Sequence, residues 1–219
     1  MSTPPVEAPP PAARVVTVGA RRLPGWLAGF VARHGGANAT ADAHTVLLTG
    51  GDGARAWVQV PFPPLAFDVD EPVAALVEHV QRPRNVGVLL VRRGGYAAGV
   101  FAGSELVASK VGSSYVQGTT KAGGWSQHRY ARRRENQATA AFADAADVAA
   151  RILLPRLDDL EALVCGGDRF AVDAVLADVR LEPLRSLVTG GLLPVPDPRL
   201  KVLQATPEQF RSARIRLDP

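Results

Sequence analysis

An α/β fold of ribonuclease-H-like type is predicted from two features of the chain. Three strand candidates, Val86 to Arg92, Tyr96 to Ala102 and Glu105 to Val111, are separated only by "RGG" and "GS", turns short enough to force an antiparallel meander. Helix, strand, helix and strand patterns then follow, an order that layers helices on a mixed sheet. A small α+β section precedes this half. The expected organisation is a Pro/Ala-rich tail over residues 1–13, an N-terminal section over 14–67 and a main domain over 68–219.

The tail "MSTPPVEAPPPAAR" lacks the basic start and apolar stretch of a secretion signal, and is expected to be disordered. "RRLPGWLAGFVARHG" predicts a short helix from Pro24 to Arg33, with Trp26, Leu27 and Phe30 on one side and Gly35 as its stop. "HTVLLTGGDGARAWVQVPF" predicts two strands joined around Gly50 to Gly53. After the connector "PFPPLAF", Val73, Leu76, Val77 and Val80 fall at helical spacing within a helix from Glu71 to Gln81.

Beyond the meander the period changes. Ala131, Ala138, Phe142, Ala145, Ala149 and Ile152 share one stripe of a helix running to about Leu154. At about 100° per residue, Arg129, Arg133 and Asn136 fall nearly opposite that stripe, with Arg132 on its flank. "ALVCGGDRFAVDAVLAD" gives a buried strand ending at Cys165, a glycine turn, Asp168 as N-cap and a helix to about Ala177. A last strand over Leu200 to Gln204 is expected to close the sheet.

Composition bounds the function. The chain has 219 residues, 47% of them hydrophobic, which suffices for one sizeable core. Its longest apolar runs, such as "VGVLLV" from Val86 to Val91, fall far short of the roughly 20 residues of a membrane-spanning helix. A single cysteine, Cys165, cannot form an internal disulfide, and a reducing cytoplasm is the expected location. The net charge of +4 is unevenly distributed: Leu106 to Arg134 contains no Asp or Glu, while Lys110, Lys121, Arg129, Arg132, Arg133 and Arg134 contribute +6 and the remainder sums to −2. Such a local field attracts phosphate backbones, although a solvated helix face would look the same.

Several motifs carry no chemistry. "GSSYVQGTTK" lacks the residue order of a nucleotide phosphate loop. His34, His44, His79 and His128 lack close-paired ligand spacing, so no metal site is expected. "CGGD" is explained by strand, turn and cap; Cys165 is expected as a small core residue, and Ser113 and Ser114 as loop residues.

The informative stretch is "KAGGWSQHRYARRRENQ". From Gly112 to Ser126 the chain is rich in Gly, Ser, Thr and Gln, and loops of that length are usually functional or disordered. Gly123 and Gly124 permit close approaches denied to residues with a Cβ. Gln127 offers an amide that can orient water but cannot act as a general base. A site built on it must position rather than ionise, which suits an active centre whose electrostatics are supplied by RNA. A mobile surface loop is the plain alternative.

"GSSYVQGTTKAGGWSQHRYARRRENQA", Gly112 to Ala138, resembles the catalytic loop and following helix of the actinobacterial Vms-like release factor family, relatives of the catalytic middle domain of eukaryotic and archaeal class I peptide-chain release factors. The resemblance extends more loosely over about residues 70 to 205. It implies a ribonuclease-H-like domain that enters the peptidyl-transferase centre of the large ribosomal subunit and releases nascent chains from peptidyl-tRNA, with no cofactor. Gly123 and Gly124 match the paired glycines and Gln127 the essential glutamine. Lys121, Arg129, Arg132 and Arg133 would contact ribosomal RNA or the tRNA acceptor arm. Trp125 and Ser126 stand between glycines and glutamine, where the classical factors have Gly-Gly-Gln contiguous. Nothing resembles their stop-codon-reading domain, which implies codon-independent rescue by a protein expected to be monomeric. Cleavage of an RNA phosphodiester near the tRNA 3′ end, or RNA binding without catalysis, remain as alternatives.

Overall fold

A computed structural model of the chain describes residues 5–66, 71–113 and 126–218, with side chains throughout except over 126–138. It divides into two compact units, 1–82 with 208–219, and 83–207. The boundary expected at residue 67 is therefore displaced. The helix at Pro72–Gln81 buries Leu76 and Val80 in the first core, and the C-terminal strand pairs in the first sheet.

The first unit holds β1 (Arg14–Val18), α1 (Leu23–Arg33), β2 (Ala37–Ala41), β3 (Thr45–Gly50), β4 (Arg55–Gln59), α2 (Pro72–Gln81) and, from the chain end, β9 (Ala213–Leu217). Its strands form an antiparallel sheet in the order β1-β9-β4-β3-β2. Pro24 presets φ in the first turn of α1, and Leu23, Leu27 and Phe30 recur at spacings of four and three to face the core. Val46, Leu48, Ala56, Val58 and Ile215 alternate onto the sheet face that α1 and α2 cover.

Residues 5–13, expected to be a disordered tail, are tied to this unit. The Val6 amide donates to Asp42 Oδ2 at 2.8 Å, and Trp57 Nε1 donates to the Glu7 carbonyl at 2.7 Å. Trp57 supplies a buried indole N–H that needs an acceptor; the tail provides it.

The second unit opens with β5 (Asn85–Arg92), β6 (Gly95–Ala102) and β7 (Glu105–Ser113), the expected antiparallel meander. Next come α3 (Ser126–Leu153), a 3₁₀ segment (Leu154–Asp159), β8 (Ala162–Gly167), α4 (Arg169–Leu176) and α5 (Glu182–Arg185). β8 pairs parallel to β5, from Val86↔Ala162 to Val91↔Gly167, so the order is β7-β6-β5-β8. The second sheet is therefore mixed, an antiparallel meander with one parallel strand added. Asp168 caps α4 by accepting from the Ala171 amide at 3.0 Å.

The final strand expected over Leu200 to Gln204 is instead a short helix, α6 (Leu200–Gln204), followed by α7 (Thr206–Phe210). Leu200 and Leu203 sit three apart, and Leu203 is fully buried facing Gly99 of β6. A short apolar run does not distinguish strand from helix by period alone. The outer edge of β8 is covered by residues 187–193. Thr189 and Leu193 donate to the carbonyls of Leu163 and Cys165 at 3.0 and 2.9 Å, with parallel bridges Leu163↔Val188 and Gly166↔Leu193.

Among the described residues no helix is long and apolar enough to cross a membrane.

Candidate functional site

Residues 114–125 join the end of β7 to the start of α3 and lie outside the described residues, Lys121, Gly123 and Gly124 among them. Gln127, Arg129, Arg132 and Arg133 occupy the first turns of α3, but their side chains lie outside the description too.

One stem is β7, an edge strand whose last residues pair Gly112 with Tyr96 and Ser113 with Gly95. The pairing is tight: a Cβ on Gly112 would meet the Tyr96 ring, and one on Gly95 would stand 2.6 Å from the Gly112 carbonyl oxygen. Gly112 is thus required by what lies over it. Burial first, then the nearby carboxylates of Asp144 and Asp147, hold the Tyr96 hydroxyl above the ordinary phenol range, with Arg151 opposing. At neutral pH it is a fixed, protonated phenol rather than a base.

The other stem is α3. Its buried face comprises Ala145, Ala146, Val148, Ala149 and Leu153, with Phe142 and Ile152 half-buried; the expected stripe is met over Phe142 to Ile152, with Leu153 rather than Ile152 at its deepest point, while the side chains of Ala131 and Ala138 lie outside the described residues. Small alanines let the helix lie close on β6. Thr139 and Ala140 are exposed, and the helix continues N-terminally from Phe142 for 142 − 126 = 16 residues, about 24 Å at 1.5 Å per residue. Phe142 meets Phe170 of α4 edge-on, ring centroids 6.2 Å apart. Arg180 bridges Asp147 at 2.8 Å and Asp178 at 2.7 Å, tying α3 to the turn after α4.

Other chemistry is limited. Cys165 is buried in the second core, and burial pushes its thiol up to about 12, so it is a core residue as expected. Among the described residues no cluster of His, Cys, Asp or Glu could hold a metal ion. A shallow cleft of about 470 Å³ is lined by Arg92, Gly167, Asp168, Pro194, Val195 and Pro196. Arg92 already donates to the Val195 carbonyl at 2.8 Å. Sequence reasoning passed over Tyr96, which packs over Gly112 of the next strand, and Arg180, which joins Asp178 to Asp147 on α3. The only local signal was the Gly-Gly-Tyr turn that sets Tyr96 at the start of its strand.

Residues 84–216, which are 133 of the 219, match the family described as Actinobacteria/chloroflexi VLRF1 release factor. The chain belongs to that family, the kind that its loop and helix at 112–138 resemble. Among solved structures it is similar to the archaeal translation termination factor aRF1, at 18% identity and TM-score 0.43, over 78% of this chain and 51% of that one. An archaeal protein matches at 14% identity and TM-score 0.40, over 92% of this chain and 67% of that one. The Vms1 mitochondrial localization core matches at 8% identity and TM-score 0.37, over 91% and 81%. This chain spans about half the length of the archaeal termination factor. No curated protein matches.

Proposed function

We propose that this protein is a cytoplasmic, ribosome-associated peptidyl-tRNA hydrolase that releases nascent chains from stalled large ribosomal subunits without reading a codon. The observation that carries the reading is the mounting: twelve residues, 114–125, including Gly123 and Gly124, span from an edge strand to a helix that runs sixteen residues beyond Phe142, with Gln127 in its first turn. Membership of a release-factor family supports it.

Helical phase divides the labour. At 100° per residue Gln127 falls within about 40° of the Ala149 direction, whereas Arg129 and Arg133 fall on the opposite side. Docking on RNA phosphates through Arg129 and Arg133 would therefore leave the Gln127 amide free for the reacting centre, with Lys121 and Arg132 adding positive charge. Gln127 would place water, or help the terminal ribose of the tRNA place it, against the ester carbonyl. Water attacks that carbon, the ribose oxygen leaves with a proton, and peptide acid and intact tRNA result. An acyl carbonyl needs mainly an oriented nucleophile, which an uncharged amide can supply. Trp125 and Ser126 separate the glycines from Gln127, so the reach of the amide is set by the helix start rather than by a contiguous Gly-Gly-Gln turn.

The test is the chemistry of the tRNA end. After incubation with large subunits carrying peptidyl-tRNA, recovered tRNA should be re-aminoacylated without repair of its CCA end. Shortened tRNA, with nucleotide mass on the peptide, would replace the hydrolase by a nuclease.

A further inference from the structure

The first unit is electrically balanced overall, with nine Arg and nine Asp or Glu over 1–82 and 208–219, yet one face of its sheet is not. On the face turned away from α1 and α2 the cross-strand rows are Leu47–Trp57–Arg216–Val15 and Thr45–Gln59–Arg214–Thr17. Thr49 and Arg55 continue it, with Asn38 and Thr40 on β2. No strand position on this face is acidic. The two carboxylates at its rim, Glu7 and Asp218, both engage Arg55, which lies over the Trp57 ring at 4.9 Å. Arg214 and Arg216 are exposed and have no ion-pair partner among the described residues. Gln59 and Thr17 beside them are exposed as well.

We infer that this open sheet face, centred on Arg214 and Arg216 with Gln59 and Thr17, is a second nucleic-acid-binding surface that takes an RNA strand along its phosphates. Two guanidiniums on one face of a strand stand about 7 Å apart, comparable with the separation of successive phosphates along an extended strand. The flanking hydroxyls and amide add neutral hydrogen bonds to phosphate and ribose. With Leu47 and Trp57 already buried, the exposed polar part of this face around β9 is Thr17, Gln59, Arg214 and Arg216, which suits a polyanion; an apolar protein partner would find little to bury beyond Val15. The tail at residues 6–7 covers the Trp57 end and leaves the Arg214 end open. The choice of RNA among polyanions rests on the proposed ribosomal function, whereas the surface itself does not involve the loop at 114–125.

The full-length chain carrying R214E/R216E, and separately R214Q/R216Q, is titrated with a short unstructured RNA and with large ribosomal subunits across a salt series. Charge reversal should weaken RNA binding at least ~10-fold, and the Gln pair should lower the slope of log affinity against log salt by about 1.4, two phosphates at roughly 0.7 each. Ultraviolet cross-linking of the unmutated chain should mark peptides from β9 or β4. Affinity unchanged in both variants, or cross-links confined to residues 121–134, overturns the inference. So does stronger binding of a polyglutamate peptide than of RNA, which would make the face a dock for an acidic protein. Release activity is read in the same preparations. A chain inactive in release but sensitive at Arg214 and Arg216 sinks the hydrolase alone; the converse sinks only this surface.

Discussion

The Tyr96 ring fills the space above Gly112, so that a Cβ on Gly112 would stand 2.5 Å from the tyrosine hydroxyl oxygen and nearer still to the ring carbons. Gly112 is also the residue at which β7 passes toward the proposed catalytic loop. The contact thus couples a core-side aromatic to the stem of the site.

Gly112→Ala should therefore displace Tyr96, lowering stability by about 1–3 kcal/mol and reducing peptide release through movement of the stem. Adding Tyr96→Ala should recover part of the loss, because the clash disappears. A double-mutant cycle by thermal unfolding checks this: purely additive effects would show that the two residues do not share the site.

Gln127→Ala should lower release by roughly 10², the scale for one preorganised group in a catalytic centre. The thermal midpoint and binding to large subunits should move little, since the position lies eighteen residues before Ala145, the first fully buried side chain described on α3. Full activity in this variant would remove Gln127 from the mechanism.

Much of this was legible because local pattern and tertiary contact agree. In β5, "VGVLLV" is buried on both faces, as an unbroken apolar run in a central strand should be. Asp168 caps α4 where its position before the helix predicted. What escaped notice depends on strand pairing rather than on local pattern. β2 is "ANATA", weak in strand formers, and it is a strand because β3 offers its free edge. β1 pairs with β9, some 200 residues away in sequence, a register no local window contains. The stretch at 114–125 stands out in the sequence by composition and length, whereas the Tyr96 ring over Gly112 is marked only by the Gly-Gly pair before it.

Replacing Arg129, Arg132 and Arg133 together with Ala should weaken association with large subunits and flatten its salt dependence, since fewer counterions are released on binding. The fold should survive, because among the described residues the contribution of α3 to the second core starts at Phe142, nine residues after Arg133. Sedimentation with subunits over a salt series is the measurement, and binding that tracks the unmutated chain at every salt concentration would reduce the cluster to a solvated helix face.

Cys165 gives a readout of the second unit that is independent of the ribosome. It sits on β8 opposite Leu89 of β5, only 5% exposed, among Leu163, Ala149 and Val172. Burial disfavours the thiolate and pushes the thiol from its ordinary value of 9.0 up to about 12. Since the thiolate is the nucleophile, iodoacetamide at pH 8 should leave the native protein unmodified and label it fully in denaturant. The sign of the linkage follows: the unfolded thiol ionises first, so its contribution to stability is complete below pH 9 and is lost as the pH rises from about 9 toward about 12. Denaturant midpoints should fall over that window in the unmutated chain, and fall less in Cys165→Ala, which lacks the ionising group. The same variant should keep its release activity, since no step of the proposed chemistry uses the thiol. Rapid alkylation of the folded protein at pH 8 would mean that β8 opens readily, and that the parallel pairing with β5 does not hold the second unit together as described.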